Sequence, residues 1–98
     1  MKIWWSREAR TRLREIHAFI AKDSPAAADK VIATLIHRSM SLVTPPLTGR
    51  RLPEYPDTDL RELLERPYRL IYIATPKGVE IVTVMHYRQL LPSEPKRS

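Results

Sequence analysis

Two consecutive apolar stripes at helical spacing constrain the fold of this chain more than any other feature. Ser6 precedes the first stripe and can cap a helix, because its hydroxyl can accept a hydrogen bond from a free N–H of the first turn. Asp23-Ser24-Pro25 ends that helix and starts another, since serine caps and proline suits the first helical position. Two helices joined by about three residues are expected to form a hairpin. The stripes consist of Ala9, Leu13, Ile16 and Ile20, then Ala28, Val31, Ile32, Leu35 and Leu42.

The remaining segments are typical of strands and one long loop. Residues 2–5 can form a brief strand, and three further candidates cover 60–65, 68–74 and 79–87, where aromatic and β-branched residues are frequent. The connections between the last three strands are as short as those of β-hairpins, so these strands are expected to be antiparallel. Residues 44–59 contain four prolines and predict an irregular loop. The pattern predicts a two-layer α+β domain, in which the helical hairpin covers one sheet face and leaves the other open for function.

Length and composition restrict the function. A chain of 98 residues makes one domain, which we place at 1–91, with a flexible tail at 92–98. Cysteine is absent, which excludes disulfides and cysteine nucleophiles. Without metal-ligand spacing or a phosphate-binding glycine loop, we expect neither metal nor cofactor. The sequence also lacks the apolar stretch of a signal peptide or membrane span, so we expect a cytoplasmic protein without membrane contact.

The charge of the chain favours an acidic or polyanionic partner. The formal net charge is +6, with twelve arginines against five lysines. Such a balance suits nucleic acid, the ribosome or an acidic protein, and arginine makes planar, bidentate contacts with phosphate or carboxylate. We therefore expect a macromolecular partner.

Arg69 and His86 are the first candidates for chemistry. If the joint at 75–78 contains an even number of loop residues, the two side chains share a sheet face, whereas a three-residue loop with a bulge at Gly78 separates them. Histidine can transfer protons near neutral pH, and arginine can stabilise a phosphorane. With Tyr87, this set is chemically sufficient for RNA cleavage.

Two further interpretations concern the carboxylates near these residues. Glu54, on the loop, could act as a base in such a site. Alternatively Arg69 pairs with a carboxylate such as Glu62 or Glu80, and the ring of His86 packs at the end of its strand. The sequence leaves both possibilities open.

The chain resembles the RelE/ParE superfamily of toxins from bacterial type II toxin–antitoxin systems. The resemblance covers about residues 3–88 and implies a strand, a helical hairpin and a curved, mostly antiparallel sheet. The matching stretches are Trp5-Ser6 with Ala9; Leu13, Ile16 and Ile20; Ser24-Pro25-Ala26-Ala27; Gly49-Arg50; Arg61-Glu62-Leu63; Tyr68-Arg69-Leu70-Ile71-Tyr72; and Val79 through His86 to Arg88.

The resemblance is strongest to ParE-like members, in Ser24-Pro25 and in the strand that ends at His86 with Arg88 following. ParE-like toxins bind DNA gyrase and block its cycle without chemistry of their own. On this basis we expect a gyrase inhibitor that is not an enzyme. The residues expected to bind the target are Arg50, Arg51, Arg69, His86 and Arg88.

RelE- and YoeB-like members provide the alternative, since they cut messenger RNA on the ribosome. Glu54, Arg69, His86 and Tyr87 match the YoeB-like catalytic set by type and approximate position. Two departures weaken this alternative: residues 31–76 contain none of the lysines of RelE-like members, and eleven residues follow Tyr87, where YoeB-like chains normally end.

The resemblance also implies a protein partner, a cognate antitoxin whose C-terminal segment folds over the toxin. We expect a hetero-oligomer with that antitoxin, held by the helical hairpin. The residues expected to bind it are Leu13, Ile16, Ile20, Val31 and Leu35.

Overall fold

The structure is a computed structural model that describes residues 2–43 and 49–86, apart from the side chain of Val43. The predicted order of strand, helical pair and three strands is confirmed. The proposed domain boundary at 91 and the tail at 92–98 lie outside the described residues. The elements are β1 (Lys2–Trp5), α1 (Arg7–Ala21), α2 (Pro25–Met40), a 3-10 turn (Ser41–Val43), β2 (Arg50–Arg51), β3 (Arg61–Glu65), β4 (Tyr68–Thr75) and β5 (Gly78–His86).

Both predicted helix caps are present. The Ser6 hydroxyl accepts from the Ala9 N–H at 3.0 Å, and the Ser24 hydroxyl accepts from the Ala27 N–H at 3.1 Å. Proline starts α2, where its missing N–H costs no hydrogen bond. None of the described helices is long and apolar enough to cross a membrane.

The strands form one five-stranded sheet in the order β1-β5-β4-β3-β2. β1 pairs parallel with β5, and every other pair is antiparallel. Gly78 allows β1 to approach closely: its φ is 142°, and a Cβ there would lie 2.2 Å from the Lys2 carbonyl oxygen. β2 was not predicted from the sequence, because two adjacent arginines have no apolar alternation.

A β-bulge in β5 sets which side chains share a face. Thr75 pairs with Gly78, but the register shifts further along, so that Tyr72 pairs with Ile81 and Ile71 with Thr83. Val82 is the extra residue, and the Ser6 hydroxyl donates to its carbonyl at 2.7 Å. The residue that caps α1 therefore also binds the bulge. Because the bulge shifts the register by one residue, the side chains of β5 that follow it lie on the opposite face from the one they would otherwise occupy.

The sheet carries an apolar core on each face, so the expectation of an open face is wrong. We call the side that α1 and α2 cover the helix face and the opposite side, which residues 52–60 cover, the loop face. The loop supplies enough apolar side chains to build its own core. The helix-face core contains Ala9, Leu35, Leu42, Leu63, Leu70, Tyr72, Val79, Ile81 and Val84. The loop-face core contains Leu52, Tyr55, Leu60, Ile71, Val82 and Met85.

Two buried tyrosines should differ in how much stability the protein loses when the hydroxyl is removed. The Tyr72 hydroxyl accepts a hydrogen bond from the Gly49 N–H at 2.8 Å. Tyr72→Phe leaves that N–H without an acceptor and should lower the free energy of unfolding by about 1–3 kcal/mol. The Tyr55 hydroxyl has no hydrogen-bond partner among the described residues, so Tyr55→Phe should be neutral or slightly stabilising. Urea unfolding of both variants checks the contrast; equal losses would contradict it.

Candidate functional site

Four side chains of alternating charge cross the loop face, and we call them the charge cluster: Arg50, Glu62, Arg69 and Glu54. Arg50 Nε donates to Glu62 Oε2. Arg69 Nε donates to Glu62 Oε1 at 2.5 Å. The two terminal nitrogens of Arg69 donate to the two oxygens of Glu54 at 2.9 and 3.2 Å. Arg69 thus lies between two carboxylates, one of which it holds in bidentate geometry.

Strand register and the loop together assemble this cluster. Glu62 lies opposite Arg50 on β2, and Leu64, two residues further on, lies opposite Arg69 on β4. These positions share the loop face because strand side chains alternate. Glu54 comes from the loop that covers the face.

Burial explains why the two central members need partners. The side chains of Arg69 and Glu62 are only 7% and 1% exposed, whereas those of Glu54 and Arg50 are 38% and 64% exposed. A buried charge without a partner is strongly destabilising. The inner pair is therefore structural, and the outer members connect it to the surface.

The pairing also keeps both partners charged. Hydrogen bonds from Arg69 outweigh burial and lower the pKa of Glu54. Burial alone would lower the pKa of Arg69, but its bonds to Glu54 and Glu62 together raise it. Glu54 is thus a weak proton acceptor at neutral pH, which disfavours a role as general base.

Acidification should weaken the fold as Glu54 takes up a proton. Because the pKa of Glu54 lies below its ordinary value of 4.5, its contribution is complete above that value and is lost as the pH falls through the lower folded-state pKa. Urea unfolding from roughly pH 6 to pH 3 should therefore show a smaller loss of stability for Glu54→Gln than for the wild type. Parallel losses in the two proteins would argue against the ion pair.

His86 lies on the other side of the sheet from Arg69. The turn between β4 and β5 has two loop residues, Pro76 and Lys77, and this turn alone would place the side chains of Arg69 and His86 on one face. The bulge at Val82 shifts the register by one residue, so that the two side chains lie on opposite faces. His86 instead pairs with Tyr68, and their rings meet edge to face with centroids 6.1 Å apart. Of the residues predicted for chemistry that the structure describes, Arg69 and Glu54 are in contact and His86 is not part of their cluster.

The alternative in which Arg69 pairs with a carboxylate agrees with the geometry, since Glu62 is one of its two partners. Tyr87 and Arg88, predicted for catalysis and target binding respectively, lie outside the described residues. Within the described ranges, no three histidine or carboxylate side chains are grouped so as to hold a metal ion.

Arg50 and Arg51 are exposed arginines at the edge of the sheet, and Arg50 shares the loop face with Glu62. They form β2, the last strand of the sheet, and their side chains are 64% and 52% exposed. Glu62 anchors Arg50, and the Thr58 carbonyl accepts from Arg51 at 2.8 Å. Two exposed cations thus occupy successive positions of the edge strand β2, and each is held by a partner of its own.

The residues predicted to bind the antitoxin mostly face the core. Leu13, Ile16 and Val31 are half-buried and pack against the helix-face core, and Ile20 is also half-buried. Leu35 is fully buried, so a direct contact between its side chain and a partner is wrong for this structure. The apolar stripe of a helix on a small sheet packs inward, which is the physical reason for the correction.

The fold matches that of known toxin–antitoxin proteins. It is similar to a chain from the chromosomal ParDE TA system of P. aeruginosa, with a TM-score of 0.71, 22% identity, and coverage of 88% of this chain and 95% of that one. The family model described as the ParE toxin of the type II toxin–antitoxin system parDE matches residues 3–91. The chain therefore belongs to the ParE toxin family. It is also 37% identical, over 93% of both proteins, to the "Putative toxin Y4kP" of Sinorhizobium fredii (strain NBRC 101917 / NGR234).

Proposed function

We propose that this ParE-family toxin inhibits DNA gyrase by binding it, and that a cognate antitoxin neutralises it in the cytoplasm. The observation that carries the non-enzymatic part is the position of His86, on the opposite sheet face from Arg69 and Glu54. A ribonuclease needs its proton-transfer groups and its phosphate-stabilising cation around one scissile bond. Arg69 is also neutralised by two carboxylates, which leaves it little charge to offer a phosphate.

Target binding then falls to Arg50 and Arg51 at the exposed edge. Arg69 positions Arg50, because it binds Glu62, which in turn fixes the guanidinium of Arg50. The net charge of +6 supports association with an acidic target or an acidic antitoxin segment, since opposite charges speed the encounter. His86, the last residue of β5, stays a predicted target contact, as does Arg88, which lies outside the described residues.

A pair of assays on antitoxin-free protein tests the proposal. One reaction contains gyrase and relaxed plasmid, and the other contains translating ribosomes and message. We expect loss of supercoiling in the first reaction and intact message in the second. Codon-periodic cuts that vanish on His86→Ala would instead identify a ribosome-dependent endoribonuclease, and supercoiling at the control rate would refute gyrase inhibition.

A further inference from the structure

The outer side of α1 carries four exposed cations in line, which we call the basic row. Arg7, Arg10 and Arg14 follow one another at helical spacing, and Lys22 continues the row just after the end of the helix. Between Arg14 and Lys22 stands Ala18, which is also exposed and is too small to shield its neighbours. From Arg10 to Lys22 the row is about 18 Å long, because a helix rises by about 1.5 Å per residue.

Three members of the basic row form no ion pair within residues 2–43 and 49–86, namely Arg10, Arg14 and Lys22. Arg10 donates to the Trp5 carbonyl oxygen at 3.0 Å, and Arg14 donates to the Thr11 hydroxyl at 3.1 Å. Both guanidiniums are therefore held by neutral oxygens and keep their full positive charge.

The carboxylates of α1 do not interrupt the row. Glu8 and Glu15 each follow a row arginine by one residue, which places them about 100° further around the helix. Glu15 is moreover bound to Arg12 at 2.7 Å. The row is thus a line of positive charge as long as about five base pairs of duplex DNA, whose phosphates carry one negative charge per roughly 1.7 Å of axis.

The exposed aromatic residue of α1 favours a duplex over a single strand as the partner. Phe19 is 73% exposed, but it lies about 140° around the helix from Arg14, and the Lys22 ammonium lies over its ring, 5.9 Å from the centroid. Proteins that bind single strands stack bases on open aromatic rings, which the basic row does not offer. Contacts with duplex phosphates require only suitably placed cations.

We propose that the basic row binds the phosphate backbone of duplex DNA without reading its sequence. Arg10, Arg14 and Lys22 pair with phosphates, and such contacts carry no sequence information. This surface is separate from the edge proposed to meet gyrase, because α1 packs on β5 and β2 forms the far edge of the sheet from β5. The inference therefore goes beyond the proposed function and does not depend on it.

Fluorescence anisotropy of a labelled duplex of about 25 base pairs, titrated with the full chain, tests the proposal. We expect a dissociation constant of about 1–100 µM near physiological salt, the range of sequence-independent binding. With three phosphate contacts, the affinity should fall roughly 40-fold between about 50 and 200 mM salt. A duplex of the same length and unrelated sequence should bind equally well.

Charge-matched variants locate the contact. Arg10→Gln combined with Arg14→Gln should weaken binding at least about tenfold and reduce the slope of log affinity against log salt by about two. Lys30→Gln combined with Arg66→Gln removes the same charge from exposed positions outside α1 and should change the affinity less than about threefold. Arg10→Lys combined with Arg14→Lys should stay within about threefold of the wild type, since lysine also binds phosphate. Unchanged melting temperatures confirm that the variants are folded.

Several results would overturn the proposal. Equal weakening by the two glutamine variants would show that the contact is not at the basic row. Tighter binding of an oligo(dT) strand or of an RNA duplex with the same number of phosphates would reject duplex DNA as the ligand. A poly-glutamate peptide that displaces the duplex at equal charge concentration would assign the row to an acidic protein instead.

Gyrase assays keep this inference apart from the proposed function. The Arg10→Gln, Arg14→Gln variant should inhibit gyrase at the wild-type concentration, and a loss of inhibition would contradict two separate surfaces. If the wild type inhibits gyrase but does not bind the duplex, only the assignment of the basic row is wrong. If it binds the duplex as described but leaves gyrase unaffected, the target assignment is wrong and the basic row stands.

Discussion

Arg69→Ala is expected to lower the free energy of unfolding by about 3–5 kcal/mol, because it leaves a buried carboxylate without its buried partner. Glu62 is 1% exposed and would keep only Arg50, whose side chain is largely in solvent. The lost bidentate contact with Glu54 should also loosen the loop. For a domain of this size, we expect the melting temperature to fall by more than about 12 °C.

Arg51→Ala is the matched control for that variant. Its guanidinium is exposed and lies 3.7 Å from an exposed Asp59 carboxylate, so its removal should change stability by roughly 0.5 kcal/mol or less. Replacing Arg69 and Glu62 together by methionines should recover part of the stability that Arg69→Ala loses, since it also removes the buried carboxylate charge of Glu62. Similar small losses for Arg69→Ala and Arg51→Ala would show that the charge cluster does not stabilise the fold.

Leu35→Ala is expected to cost about 2–5 kcal/mol, because it opens a cavity in the helix-face core. Leu35 is fully buried, whereas its neighbour Ile36 is 43% exposed. Ile36→Ala should therefore cost about 1 kcal/mol or less. Calorimetry or urea unfolding measures both variants.

The same pair separates structural from binding effects at α2. If Leu35 contributes only to the core, any loss of antitoxin association by Leu35→Ala should follow its loss of folded protein. A folded Leu35→Ala variant with wild-type stability would contradict the packing described here, and would restore Leu35 as a candidate contact.

Local signals accounted for the elements that the sequence predicted correctly. Ser6 and Ser24 identified both helix starts, because side-chain capping is decided within one turn. The strands near 68 and 79 were evident from their β-branched and aromatic residues and their short joint. These features depend on neighbours in sequence, so they needed no knowledge of the fold.

Long-range contacts determined what the sequence could not predict. The bulge at Val82 depends on a hydrogen bond from Ser6, 76 residues away, and no local pattern in β5 signals it. The apolar side chains of the loop, such as Leu52 and Leu60, gave no periodicity, yet they cover the face expected to be open. The pairing of Arg69 with Glu62 was foreseen as an alternative, but its link to Glu54 required the folded loop.

The gyrase inhibition curve of an Arg50→Ala, Arg51→Ala double variant tests the central claim most directly. Its control is Arg12→Ala, Arg14→Ala on α1, which removes the same charge from another surface. We predict that the edge variant needs at least about tenfold more protein for half-maximal inhibition of supercoiling, while the control stays near the wild type. Equal curves for the edge variant and the wild type would contradict a gyrase contact through β2.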